Sequence, residues 1–122
     1  MDKPKPANFL SADAACFRYV EKSSPYSSNL QFLTYGWYEL SGAAQSGLLA
    51  HPTEEALLFS WNGKVVVSLN GQDYTLDHYD TLYIPRGATY RLSQENGESK
   101  VIVCRATADK VHPVFHSKWS EF

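Results

Sequence analysis

The sequence predicts an all-β domain, an antiparallel sandwich or barrel. Three observations carry that reading. From Leu30 onward the apolar residues recur with the two-residue period of a strand. Turn signals interrupt the chain about every 8–12 residues, giving about eight short strands in roughly 75 residues. Two Asn-Gly pairs, Asn62-Gly63 and Asn70-Gly71, separate strand-like runs, and tight hairpin turns need positive φ at both such positions. This recurrence of Gly and Asn-Gly excludes a helical bundle.

The elements follow in order. Residues 1–29 read as an N-terminal extension, 30–107 as the barrel and 108–122 as a C-terminal tail. Within the extension, 8–20 shows a short helical pattern through Ser11, Ala12, Ala14 and Ala15. Residues 23–29, rich in Ser around Pro25, form a loop. Over 30–40, Leu30, Phe32, Thr34 and Gly36 alternate with Gln31, Leu33, Tyr35 and Trp37. Residues 41–44 turn the chain. Residues 47–51 make a short strand stopped by Pro52. Residues 56–61 are nearly all apolar, as in a buried strand. Asn62-Gly63 is expected to close a hairpin onto 64–69, and Asn70-Gly71 another onto the strand around Tyr74-Thr75-Leu76. Residues 81–84 form the next strand, ended by Pro85-Arg86-Gly87. Residues 88–92 are expected to pair onward through the turn at 94–97 with 100–105.

At 122 residues the chain reads as one domain. Size scaling buries about two-thirds of the open chain's surface, enough for one core. With 43% apolar and 20% charged residues, it has the balance of a soluble domain. The net charge of −2 gives no bulk attraction to nucleic acid or to an anionic membrane surface. No apolar run approaches the ~20 residues of a membrane span. The polar start, Met1-Asp2-Lys3-Pro4, lacks a signal-peptide core, so a cytoplasmic home is expected. Cys16 and Cys104 lack CxxC spacing and sit among apolar residues, as buried, reduced thiols do. His51, His78, His112 and His116 are the only imidazoles, so any metal site must use them.

One spacing is more specific. Gly47-x3-His51-x-Thr53-x-Glu55-x7-Gly63 is followed by Asp80-x4-Pro85-x-Gly87-x2-Tyr90. This order resembles the two motifs of the cupin superfamily, over residues 30–105. The resemblance implies a single-domain cupin double-stranded β-helix, or jelly-roll barrel. The segment from Thr53 to Val67 and the run Asp80-Thr81-Leu82-Tyr83-Ile84-Pro85 are similar to the deoxyglucuronate and 5-keto-4-deoxyuronate isomerases. That family implies aldose–ketose isomerisation of an acidic sugar. Its usual members are about twice this length with two cupin halves, so this chain corresponds to one.

The departures from the pattern shape the expected site. Metal-bearing cupins take two His and a Glu from the first motif and a His from the second. Here those places hold His51, Thr53, Glu55 and Tyr90, so the metal set is degenerate, reduced to His51, Glu55 and a phenol. The cofactor stays open between a weakly held divalent metal and none. His51 reads either as ligand or general base at the barrel mouth, or as a loop histidine. Glu55 reads as a cavity carboxylate or a solvated strand end. Tyr90 reads as an inward hydrogen-bonding acid or a core tyrosine. Arg86 and Arg91 would suit a sugar carboxylate by bidentate pairing, or lie on the surface. Trp61 and Tyr83 belong to a set of strand aromatics, half of which should line the interior and a ligand there.

His78 reads as solvated. His112 and His116 share an i, i+4 spacing that Pro113 interrupts. The tail carries Val111, Phe115, Trp119 and Phe122, more apolar surface than a free tail exposes. It is expected to pack on the barrel or across a homodimer. Two functions follow: a sugar-acid isomerase, or a metal-free module that binds or senses a small molecule. Neither calls for nucleic acid or a membrane.

Overall fold

The computed structural model describes residues 17–23 and 33–121. Eleven strands form there: β1 Phe17–Ser23, β2 Leu33–Ser41, β3 Ala44–Gln45, β4 Leu49–Ala50, β5 Glu54–Asn62, β6 Val65–Leu69, β7 Gln72–Leu76, β8 Thr81–Ile84, β9 Thr89–Gln94, β10 Glu98–Thr107 and β11 Phe115–Ser117. A 3₁₀ turn, Trp119–Glu121, follows. The strands make a six-stranded antiparallel sheet, β1-β2-β10-β5-β8-β11, and a second sheet, β3-β9-β6-β7, with β4 beside β9. No described helix is long and apolar enough to cross a membrane.

The period of two explains which residues meet between the sheets. Tyr38, Leu40, Leu58, Val101 and Val103 point inward from the larger sheet; Val65, Val67, Leu69, Tyr90 and Leu92 do so from the smaller. All are buried and form one core.

Three expectations are corrected. Part of the helical pattern, Phe17 onward, is strand β1, paired with β2 from Phe17↔Leu40. Local propensity yields there because Phe17 is buried in the core against the Tyr38 ring; residues 8–16 lie outside the described set. Asn62-Gly63 does not close a hairpin. β5 pairs with β10 and β8, whereas β6 pairs with β7 and β9. Gly63, at φ +80°, turns the chain from one sheet to the other. The turn at 94–97 likewise carries the chain between sheets, since β9 and β10 do not pair. Asn70-Gly71 is the true hairpin, with φ of 55° and 76° joining Leu69↔Gln72.

The segment after β10 returns to the barrel. β11 pairs with β8, and Arg86 Nη1 donates to the carbonyls of Ala108 and Asp109 at 3.1 and 3.0 Å. Asp80, 1% exposed, accepts from Lys118 Nζ, Trp119 N and Asp77 N, each at 2.8–2.9 Å. Burial pushes the Asp80 carboxyl up, but the bonds from Lys118 and the two backbone N–H groups outweigh it and hold it below its ordinary value.

Candidate functional site

The two segments that carry the spacing meet in space. The His51 carbonyl, at the end of β4, accepts from Gly87 N at 3.0 Å and Glu54 N at 3.3 Å. Gly87 adopts φ +79°, so the Pro85-Arg86-Gly87 turn can fold back on this carbonyl. His51 and Tyr90, 1% and 0% exposed, therefore face each other inside the barrel. The His51 Nε2 is 2.5 Å from the Tyr90 hydroxyl, which is 2.8 Å from the Tyr38 hydroxyl.

On the other side of the imidazole lies Arg105. Its Nη1 is 3.2 Å from His51 Nδ1 and 3.2 Å from Glu54 Oε1, and its Nη2 is 3.2 Å from the Tyr19 hydroxyl. Glu21 adds a carboxylate 3.6 Å from Nη2. A guanidinium can only donate, so Nδ1 must accept. The neutral ring then carries its proton on Nε2 and donates it to Tyr90, which donates onward to Tyr38. Burial first, and the neighbouring cation second, hold the His51 pKa down from 6.5 to about 3. Burial likewise raises the Tyr90 phenol well above its ordinary value, with the Tyr38 contact adding to the rise. Arg105 is 6% exposed, and its Nε has no partner among the described residues.

Arg105 is the residue that sequence reasoning missed. Val101, Val103 and Arg105 occupy successive inward slots of β10. A cation in the third slot of an inward apolar series was the available signal. Glu54 was missed by one position, because Glu54 shares the inward face of β5 with Ala56 and Leu58. Glu55 points outward and accepts from the Tyr83 hydroxyl at 2.5 Å. Burial, then the Glu55 carboxylate, raise the Tyr83 phenol to about 12. His51 and Glu55 are thus not brought together.

The other expected binding residues also lie outside the cluster. Trp61, 47% exposed, packs outside the barrel with Phe59 and Tyr79 at ring distances of 6.4 and 5.9 Å. Tyr83 shares the outward face of β8 with Thr81. Arg86 is engaged by the tail carbonyls. Arg91 is exposed on β9, alternating with inward Tyr90 and Leu92. Cys104 is half-buried on the outward face of β10, and Cys16 lies outside the described residues. His78 is exposed and stacks on Tyr79 at 3.6 Å between centroids.

These residues do not fit a divalent metal at His51. The Nδ1 lone pair is spent on a guanidinium, whose charge repels a cation, and Nε2 carries the proton. Thr53 is exposed and Glu55 faces away. A phenol held well above its ordinary pKa is a poor anionic ligand. Among the described residues, no group of three or more His, Cys, Asp or Glu is arranged to hold a metal ion.

No protein-family model matches the chain, and no curated protein matches it. Solved structures do. Protein Ylba from E. coli superposes with a TM-score of 0.76 at 13% identity, over 99% of this chain and 50% of that one. A Pseudomonas aeruginosa protein named for induction by glyoxylate gives 0.73 at 22%, over 86% and 42%. The chain therefore spans about half the length of these two. The cupin domain of Schizosaccharomyces pombe Cnp3 gives 0.65 at 14%, over 75% and 65%, and KdgF from Halomonas sp. gives 0.65 at 13%, over 82% and 86%. The chain has the all-β cupin jelly-roll fold.

Proposed function

We propose that this cupin-fold domain binds a small, oxygen-bearing molecule at the His51–Arg105 cluster without a metal. One observation carries the reading: the buried Arg105 guanidinium, whose Nη1 stands beside His51, has an Nε with no partner among the described residues. A buried unpaired donor costs about 1–3 kcal/mol, which an acceptor oxygen from a ligand would recover. The charge balance selects among oxygens. Arg105 already faces Glu54 and Glu21, so a hydroxyl or carbonyl oxygen fits better than another carboxylate. Arg86 and Arg91, the expected carboxylate clamps, are directed elsewhere. A sugar or ketose is therefore a better occupant than the sugar acid that the resemblance implies.

The isomerase reading ranks second. Isomerisation needs a base poised near neutral pH and an electrophile at the enediolate. A histidine held near 3 is a poor base there, and among the described residues no metal-ligand set stands beside it.

The test is a thermal-shift screen of neutral sugars, ketoses, polyols and uronates, on wild type and on Arg105→Lys. Stabilisation by an uncharged member, lost in Arg105→Lys, is expected. No shift with any of them, or a shift undiminished by the substitution, overturns the reading. Protein purified without chelator should carry under about a tenth of an equivalent of transition metal and gain no stability from added Mn, Fe or Zn. Stoichiometric metal would return the site to metal-assisted chemistry.

A further inference from the structure

The contacts around the Arg105 guanidinium do not balance. His51 Nδ1 and Glu54 Oε1 lie 3.2 Å from Nη1, and the Tyr19 hydroxyl lies 3.2 Å from Nη2. Nε has no partner among the described residues. Glu21 brings a second carboxylate, 3.6 Å from Nη2 and 3.5 Å from the Tyr19 hydroxyl. Both distances are beyond an ordinary hydrogen bond. β1 can lay Tyr19 and Glu21 over the guanidinium because Gly36, opposite Glu21 on β2, has no side chain. A Cβ there would come within 3.1 Å of the Tyr19 hydroxyl and would strike the Val20 carbonyl. The cluster also has a direction. His51, Tyr38 and Tyr90 are at most 1% exposed, whereas the Glu54 and Glu21 side chains are 23% and 32% exposed. The two carboxylates therefore form its solvent side, and the imidazole and phenols its floor.

Charge narrows what can enter. The imidazole and the phenols are neutral, so one guanidinium faces two carboxylates and the cluster is negative overall. A charge partly withdrawn from water favours a counter-charge. The unpaired Nε favours an acceptor oxygen. A single ligand can answer both. We infer that the occupant carries an ammonium group besides its acceptor oxygen, the ammonium held by Glu21 and Glu54 and the oxygen deeper, against Arg105. Its chemical class is an amino sugar or an amino alcohol. This rests on the binding proposed above and narrows it. Each carboxylate meets Arg105 through Oε1. A carboxylate has about four lone-pair sites, so both retain acceptors for the three N–H bonds of an ammonium. A uronate meets the opposite balance, since its own carboxylate would have to pass the same two.

Titration calorimetry on the full chain tests the inference, at about pH 6.5 where the amines are protonated. The probes are pairs that exchange one hydroxyl for an amine: glucose and glucosamine, galactose and galactosamine, glycerol and serinol, ethylene glycol and ethanolamine. In at least one pair the amine should bind about tenfold more tightly than its uncharged parent. That ratio should shrink as salt is raised. Glu21→Gln changes little in shape at a partly exposed side chain, so it should keep the strand circular-dichroism signal. It should bring the ratio close to one, because the cluster then carries no net charge. Glu95→Gln removes the same charge from an exposed site on the other sheet and should leave the ratio unchanged. Uncharged parents that bind with no gain from the amine overturn the inference and leave the binding proposed above standing. A gain that survives Glu21→Gln, or that is indifferent to salt, overturns it as well. Wild type that binds no member of any pair removes both.

Discussion

His51 Nε2 lies 2.5 Å from the Tyr90 hydroxyl, with the Arg105 guanidinium 3.2 Å from the opposite ring nitrogen. The imidazole is fixed from both sides in one neutral tautomer. A second proton would have to sit on Nδ1, facing a cation.

That clamp makes stability pH-dependent in a defined window. The folded His51 titrates at about 3, against 6.5 for a free side chain. Above pH 6.5 both folded and unfolded chains are neutral here, so the group contributes nothing to the pH dependence. Between 6.5 and 3 only the unfolded chain takes up the proton, and stability falls with pH by about 1.4 kcal/mol per unit. Asp80, whose pKa is lowered from 3.8, loses its contribution only as pH falls below 3.8, under the range from 7 to 4. Urea unfolding from pH 7 to 4 should show the decline, and His51→Gln should flatten it. An equally steep decline in the variant would show that His51 is not its source.

The hydroxyl chain ranks two conservative substitutions. Tyr90→Phe strips the acceptor from a buried His51 N–H that Arg105 prevents from changing tautomer, at a cost of about 2–3 kcal/mol. Tyr38→Phe leaves the His51–Tyr90 bond intact but strips the acceptor from the buried Tyr90 hydroxyl, so it removes one bond where Tyr90→Phe removes two, at a cost of about 1–2 kcal/mol. Their effects should not add in the double variant, because both act on one chain of bonds. A larger cost for Tyr38→Phe than for Tyr90→Phe, measured by denaturant unfolding, would contradict this ranking.

The strands were legible because burial on one side imposes a period of two, and the Asn70-Gly71 hairpin because its φ values are local. Asn62-Gly63 shows the limit. Turn chemistry reports the backbone angle at Gly63, not which sheet the next strand joins. The pairing of His51 with Tyr90 was implied by spacing, since both precede or follow turns that bring their segments together. The carboxylate was misplaced because Glu54 and Glu55 are adjacent and a one-residue slip in a strand exchanges its faces. Arg105 was not legible as a site residue until the register of β10 showed its slot to be inward.

Two glycines with similar φ should respond very differently to alanine. Gly71, at φ +76°, has open space around an added Cβ, so Gly71→Ala costs only the left-handed strain, about 1–2 kcal/mol. Gly63, at φ +80°, would bring the Cβ within 2.6 Å of the Glu98 carbonyl and against the Ser99 hydroxyl. The same strain then adds to a backbone clash at the corner between sheets, for a loss above about 3 kcal/mol. Comparable melting temperatures for the two variants would mean that the corner relaxes freely.

Asp80 should hold the C-terminal segment more through backbone donors than through charge. The Lys118 side chain is 31% exposed, so solvent screens the pair, and Lys118→Met should cost about 0.5–1 kcal/mol. Asp80→Ala also leaves Asp77 N and Trp119 N without their acceptor, which raises the cost to about 2–4 kcal/mol. The difference should be local as well as global. Hydrogen exchange over Phe115–Ser117 should speed up far more in Asp80→Ala than in Lys118→Met, because β11 has pairing partners only in β8 among the described strands. Equal exchange in the two variants would assign the hold to the ion pair instead.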